Sequence, residues 1–316
     1  MIRRLLLFAS GLRWIRLIIT RYTATRAFAW RFIAGESATT ALHAVRNLQK
    51  RNISATLDLL GESVHDADEA HASTTQYLAL LDNIRRSGAP SHISLKLTQL
   101  GLDVDEQRCR DNLELILKRA AEQDTFVRFD MEGSAYTQRT LDLYRSLRPC
   151  YDNCGVVIQS YLYRSEQDVE DLIALGARVR LCKGAYLEPP DIAFQRKGDV
   201  DATYARLMKR LLSEGAYPAI ATHDPQMIAQ AQAFVRERDI PNSAWEFQML
   251  YGIRRDMQER LAAEGYNVRC YIPFGAEWYP YAMRRLAERP ANVMFLIRNV
   301  LRERRPRRMP PPTNDH

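Results

Sequence analysis

Cysteine is scarce in this 316-residue chain: five residues, at 109, 150, 154, 182 and 270, with no CxxC pair among them. An odd number without paired spacing argues against a disulfide framework and for buried free thiols in a reducing compartment. Histidine is nearly as rare, at six. No His-rich or second Cys cluster joins Cys150 and Cys154 to complete a zinc site, so no metal is expected. No G-x-G-x-x-G follows the first candidate strand, which removes the usual dinucleotide fingerprint of an open Rossmann sheet. Long apolar runs are also missing. Residues 5–10 are apolar, but Arg13, Arg16 and Arg21 interrupt any span able to cross a bilayer. No clear small-residue cleavage site marks a secretory signal.

Hydrophobic residues make up 46% of the chain and charged residues 26%, the balance of a folded protein with a substantial core. The net charge of +7 is concentrated at the ends. Residues 1–35 hold seven Arg and no acid, and 302–308 hold five Arg against Glu303. Without both ends and Asp315, 33 basic residues face 36 acidic ones, so the central body is mildly acidic. That argues against a nucleic-acid-binding core. The basic arm fits a mitochondrial transit peptide, an amphipathic helix on an anionic membrane, or a helix packed on the body. A packed or peripheral helix is preferred, with a cytoplasmic location and the mitochondrial matrix as the alternative.

From residue 53 onward, β-rich runs alternate with amphipathic helical patterns. Strands are expected at 54–60, 92–97, 126–131, 156–160, 179–182, 218–222, 245–250 and 268–272. Helices are expected between them, at 66–86, 105–123, 136–147, 166–175, 203–213, 225–238 and 256–263. Asp224-Pro225 carries a start signal, and Gly88, Gly176, Gly215 and Gly265 follow helices where a terminal glycine is expected. Strands joined through helices pair in parallel. Eight such units in about 250 residues fit a closed (β/α)₈ barrel, of α/β class, better than an open α/β sheet. The expected division is an N-terminal helical arm at 1–52, a catalytic barrel at 53–303, and a disordered basic, proline-rich tail at 304–316.

Barrel enzymes place their chemistry at the C-terminal ends of the strands. Those ends carry Glu62, Lys96, Asp130-Met131-Glu132, Gln159, Arg180 with Lys183-Gly184, Thr222-His223-Asp224, Gln248 through Leu250, and Tyr271. No Ser/His/Asp arrangement is present, which speaks against acyl transfer. The cations Lys96, Arg180, Lys183, Arg284 and Arg285 suit an anionic substrate and a phosphorylated cofactor. Lys183-Gly184-Ala185 offers a pyrophosphate seat, since glycine allows close backbone approach and lysine adds charge. Past the last strand, Pro280 suits an early helical turn. In that helix Tyr281, Arg284, Arg285 and Glu288 share one face, where two guanidiniums beside a ring can grip a carboxylate.

Nine segments in order resemble the proline dehydrogenase family, from residues 31–36 to about 298. They are 31–36 (RFIAGE), 58–62 (DLLGE), 94–97 (SLKL), 127–132 (VRFDME), 157–160 (VIQS), 180–186 (RLCKGAY), 221–224 (ATHD), 246–250 (EFQML) and 271–288. The resemblance implies a distorted (β/α)₈ barrel holding FAD non-covalently, with the last helix over the strand C-termini. It implies oxidation of L-proline to Δ1-pyrroline-5-carboxylate by hydride transfer from C5 to flavin N5, with electrons passed to a membrane quinone. By matching positions, Lys96, Arg284 and Arg285 would hold the substrate carboxylate, and Leu250, Tyr271 and Tyr281 would pack on its ring. Asp130 would sit beside Tyr271, and Arg180 and Gln159 would hydrogen-bond the isoalloxazine. Met131, Cys182, Lys183, Gly184, Ala185, Ala221, Thr222, His223 and Glu288 would complete the FAD site, and Glu62 would pair with Arg284 as a gate. Cys182 stands where the family often has Val. The chain stops soon after the barrel, as a monofunctional bacterial-type enzyme would, and Tyr271 favours proline over 4-hydroxyproline. A different barrel flavoenzyme, a barrel acting on a phosphorylated substrate without flavin, or a non-catalytic barrel carried to membranes by its arm are the rival readings.

Overall fold

The computed structural model describes residues 30–61 and 64–287, with 284–287 described by backbone alone. The described chain divides into Ala34–Ala276 and a second unit formed by the segments on either side of it.

Within Ala34–Ala276 eight parallel strands close into a barrel in sequence order. The strands are β1 (Ser54–Leu59), β2 (His92–Leu95), β3 (Val127–Phe129), β4 (Cys154–Gln159), β5 (Arg178–Cys182), β6 (Ala219–Ala221), β7 (Glu246–Leu250) and β8 (Val268–Phe274). Closure is made by β8 pairing with β1 over six residues, from Ser54 opposite Arg269 to Leu59 opposite Phe274. The expected closed barrel is therefore borne out, and the open-sheet alternative is excluded.

A helix precedes the barrel, α1 (Ala38–Gln49), and helices follow the first seven strands: α2 (Ala67–Ser87), α3 (Glu106–Ala121), α4 (Ser134–Leu147), α5 (Ser165–Ala174), α6 (Lys197–Glu214), α7 (Pro225–Glu237) and α8 (Arg255–Ala263). Local chemistry sets their starts. Asp66, Asp105 and Asp224 each accept a hydrogen bond from a main-chain N–H of the first turn, and Pro225 takes the position where its missing N–H costs nothing. Gly88 ends α2 in the left-handed conformation at φ 61°. Helix α1 lies inside the 1–52 stretch set apart on composition, yet Ala41, Val45 and Leu48 share one core with β1 and β8.

The strands alternate between two environments. Leu57, Ile93, Leu95, Val127, Phe129, Val179, Leu181, Phe247, Met249, Cys270 and Ile272 belong to the apolar core beneath the helices. The residues between them are polar: Thr56 and Asp58, Ser94, Arg128, Arg178 and Arg180, Glu246 and Gln248, Arg269 and Tyr271. Barrel interiors are commonly filled by branched aliphatics. Here polar and charged side chains take that place, and several of them are bonded to one another.

The second unit contains α9 (Trp278–Ala287), in which Trp278 lies 5.5 Å from Trp30 between ring centroids. Positions 281, 284 and 285 fall on one face of this helix, as the spacing predicts.

Candidate active site

Because all eight strands are parallel, their C-terminal ends share one rim. Arg180 of β5 organises the polar cluster below it. Its Nη1 donates to Asp130 Oδ1 at 2.7 Å and its Nε donates to Gln248 Oε1 at 2.5 Å. The guanidinium also lies 5.1 Å from the centre of the Tyr271 ring. These partners come from β7, β8 and the end of β3, so they can meet only inside the barrel. Arg180 is 6% exposed, and its Nη2 is a buried donor with no hydrogen-bond partner among the described residues. A buried donor left so needs an acceptor from a bound molecule.

Asp130 is the acceptor hub. Besides Arg180 it receives the Ser94 hydroxyl at 2.5 Å on Oδ1 and the Tyr271 hydroxyl at 2.6 Å on Oδ2. Burial and the charge of Asp130 together push the Tyr271 phenol well above its ordinary value, so it remains a donor. Asp130, Arg180 and Tyr271 are thus in mutual contact inside the barrel.

Lys96 stands where β2 leaves the sheet, and its Nζ donates to Asp58 Oδ1 at 3.2 Å. Burial pulls the ammonium down, but Asp58 and Asp130 outweigh it and hold the group above its ordinary value of 10.5. A short 3₁₀ turn, Leu97–Leu100, follows directly. It is clamped by Glu132, whose carboxylate accepts from Thr98 Oγ1 at 2.7 Å and from the Thr98 N–H at 3.3 Å. Asp58 therefore holds the lysine head, and Glu132 holds the turn that follows it.

The other expected positions that the structure describes within Ala34–Ala276 lie along the same rim. Gln159, at the end of β4, donates from Nε2 to the Glu132 carbonyl at 2.7 Å, which leaves its Oε1 facing away from that bond. Met131 is buried. Cys182 ends β5, and burial pushes its thiol up to about 12. Lys183 Nζ is shared between Asp201 at 2.5 Å and Asp224 at 2.8 Å, so its charge is already countered. Gly184 has φ +108°, and a Cβ there would come within 2.2 Å of the Tyr161 ring; Ala185 follows it. Ala221 ends β6, and Thr222 Oγ1 accepts from the Asp224 N–H at 3.1 Å. The Leu250 N–H donates to His223 Nε2 at 2.9 Å, which puts the imidazole proton on Nδ1 and makes this histidine a loop acceptor.

Glu62 and Glu288 lie outside the described residues, as do the tail and most of the basic arm, and the side chains of Arg284 and Arg285 are likewise outside what is described. Tyr281 belongs to α9. Among the described residues no cluster of His, Cys, Asp and Glu is arranged to hold a metal ion, and no helix is long and apolar enough to cross a membrane.

Reading strand ends alone misses Asp58, Ser94, Glu246 and Arg269, and it lists Gln248 without giving it a role. Asp58, Ser94 and Gln248 sit below the rim, and Glu246 and Arg269, at the start of β7 and β8, lie deeper still. The signal that finds them is polar residues at i, i+2 within strands whose other face is apolar: Asp58 two after Thr56, Gln248 two after Glu246, Tyr271 two after Arg269.

A closed parallel barrel with a charged, interbonded polar cluster at its C-terminal rim defines a (β/α)₈ barrel of the enzyme type. The family model described as proline dehydrogenase matches residues 41–298. Proline dehydrogenase 2 of Bacillus subtilis (strain 168) is 40% identical over 285 residues, covering 90% of this chain and 94% of the relative. Proline dehydrogenase of Deinococcus radiodurans is 40% identical over 279 residues, covering 87% and 90%. The crystal structure of proline utilization A from Bdellovibrio bacteriovorus, inactivated by N-propargylglycine, superposes with a TM-score of 0.79 at 28% identity over 84% of this chain. This chain spans 33% of that longer protein. The chain belongs to the proline dehydrogenase family of oxidoreductases.

Proposed function

We propose that the chain oxidises L-proline to Δ1-pyrroline-5-carboxylate by loss of hydride from C5, with FAD at the polar rim and a membrane quinone as final electron acceptor. The observation that carries this reading is the Asp130 carboxylate bonded at once to Arg180, Ser94 and Tyr271, in a member of this family. FAD, when bound, supplies the hydride acceptor. The residues present suit it. An isoalloxazine edge alternates acceptors with one N–H donor, and Arg180 Nη2 is a buried donor without a partner among the described residues. Gln159, with its amide nitrogen already given to Glu132, has a carbonyl to receive that N–H. Met131, Cys182, Lys183, Gly184, Ala185, Ala221, Thr222, His223 and Glu288 line the rest. With Lys183 countered by two aspartates, phosphate contacts fall to main-chain groups at 184–185.

Hydride leaves C5 only if the proline nitrogen lone pair is free to stabilise the developing iminium, so the amine binds neutral or loses its proton first. The chain's task is then orientation and charge. Lys96, kept cationic by Asp58, holds the substrate carboxylate together with Arg284 and Arg285, while Leu250, Tyr271 and Tyr281 pack against its ring. Glu62 pairs with Arg284 across the entrance when no substrate is present. The basic arm touches the membrane that carries the quinone, from the cytoplasmic side. An anaerobic titration of the purified chain with L-proline tests the reading. Flavin absorption bands bleached in proportion to added proline are expected; a colourless protein, or bands indifferent to proline, would refute it.

A further inference from the structure

Below the rim a second chain of hydrogen bonds leads away from Arg180. Gln248 Nε2 donates to Glu246 Oε1 at 2.5 Å, and Glu246 receives Arg269 Nε on both oxygens at 3.0 Å. Arg269 Nη1 is tied in turn to the Ala55 carbonyl at 2.9 Å. Glu246 and Arg269 are 3% and 8% exposed. Burial pushes the Glu246 carboxyl up, but Arg269 and Gln248 outweigh it and hold it below its ordinary value.

This arrangement removes the ambiguity of an amide. A carboxylate only accepts, so the NH₂ of Gln248 must face Glu246; a guanidinium only donates, so its carbonyl must face Arg180. With Nε bound to Gln248 and Nη1 bound to Asp130, the Arg180 plane is held at two points. The third nitrogen, Nη2, is the one left for a ligand. A buried ion pair contributes little net stability compared with apolar side chains of equal size. Its retention on the barrel floor is better explained by the orientation it imposes.

We propose that Glu246, paired with Arg269, is a positioning residue for Arg180, acting through the side-chain amide of Gln248 to present Nη2 to the bound cofactor. The inference rests on the flavin reading above and goes beyond it, because neither Glu246 nor Arg269 touches the ligand. Without the pair, the Gln248 NH₂ loses its acceptor, the amide is no longer anchored on that side, and the guanidinium, left held at Asp130, is free to swing. Reduced flavin carries negative charge, so misplacing Nη2 disfavours reduction.

The test uses the holoenzyme and two variants, Gln248→Met and the double variant Glu246→Met with Arg269→Met. The double variant removes both charges together, so that neither is left buried alone. Flavin midpoint potential, the rate of anaerobic reduction by L-proline, and Tm are measured for each. Both variants are expected to reduce about tenfold more slowly and to shift the reduction equilibrium by about tenfold, ~30 mV for a two-electron couple. Proline KM should change little. Variants with lowered Tm or flavin content but an unchanged potential and reduction rate would overturn the inference and leave the flavin reading intact. A wild-type chain whose flavin is absent or unaffected by L-proline would overturn both.

Discussion

Tyr271 donates its hydroxyl to Asp130 at 2.6 Å while its ring lies 5.1 Å from the Arg180 guanidinium, so one side chain serves both members of the buried ion pair. The two contacts have different values. Tyr271→Phe keeps the ring and removes one hydrogen bond to a charged acceptor, worth about 1.5–3 kcal/mol. It should lower kcat/KM by roughly tenfold or more and leave the fold intact. Asp130→Ala strands Arg180 Nη1 in the interior and should destabilise the barrel by about 3–5 kcal/mol. Urea unfolding and steady-state kinetics on the two variants separate these effects.

Lys96 and Tyr271 are both held above their ordinary values, and this shapes the pH profile. A lysine whose folded value exceeds its unfolded value contributes stability that is complete below about 10.5 and is lost as pH rises from there through the folded value. Neither group changes charge between pH 7 and 10. Proline oxidation should therefore rise steadily with pH as the substrate amine deprotonates, with no descending limb before about pH 10. Initial rates at saturating proline across that range check this, and a bell centred near neutrality would point to a titrating side chain instead.

Gly184 is fixed by two independent constraints, a φ of +108° and the Tyr161 ring in the space a Cβ would enter. Gly184→Ala should cost at least about 2 kcal/mol of stability through strain and overpacking combined. It should also lower flavin retention, because the backbone at the end of β5 must shift. Thermal unfolding and the ratio of flavin to protein absorbance on the purified variant report both.

Of the five cysteines, Cys150 is exposed and unpaired. Burial pushes Cys109, Cys154 and Cys182 up to about 12, and Cys270 higher still. A thiol reacts as its thiolate, so the native chain at pH 8 should show one fast equivalent with an aromatic disulfide reagent. Cys150→Ser should abolish it. Four further equivalents should appear on unfolding.

Much of the fold is legible because β-rich runs and amphipathic helices differ in period, and each expected strand overlaps an observed one. The boundaries fail where chemistry takes residues out of the ladder. Strand β3 ends at Phe129, not at 131: the Asp130 N–H makes a last bond to the Leu95 carbonyl, and Glu132 reaches across to Thr98. The run from 92 to 97 ends as a strand at Leu95, and Leu97–Leu100 becomes a 3₁₀ turn, because Glu132 captures the Thr98 N–H. Helix α6 begins at Lys197, well before 203, through a polar first turn that hydrophobic periodicity cannot register. Strand ends reveal Lys96, Asp130, Arg180 and Tyr271. Asp58, Glu246 and Arg269 stay hidden there, because their partners lie on other strands and only closure of the barrel brings them together.

The most direct test of the account is the rate of anaerobic flavin reduction by L-proline carrying deuterium at C5, against unlabelled L-proline. Hydride loss from C5 at this site predicts reduction slowed several-fold by the label, in wild-type protein at alkaline pH. Equal rates for the two substrates, with slowing only when deuterium sits at C2, would contradict it.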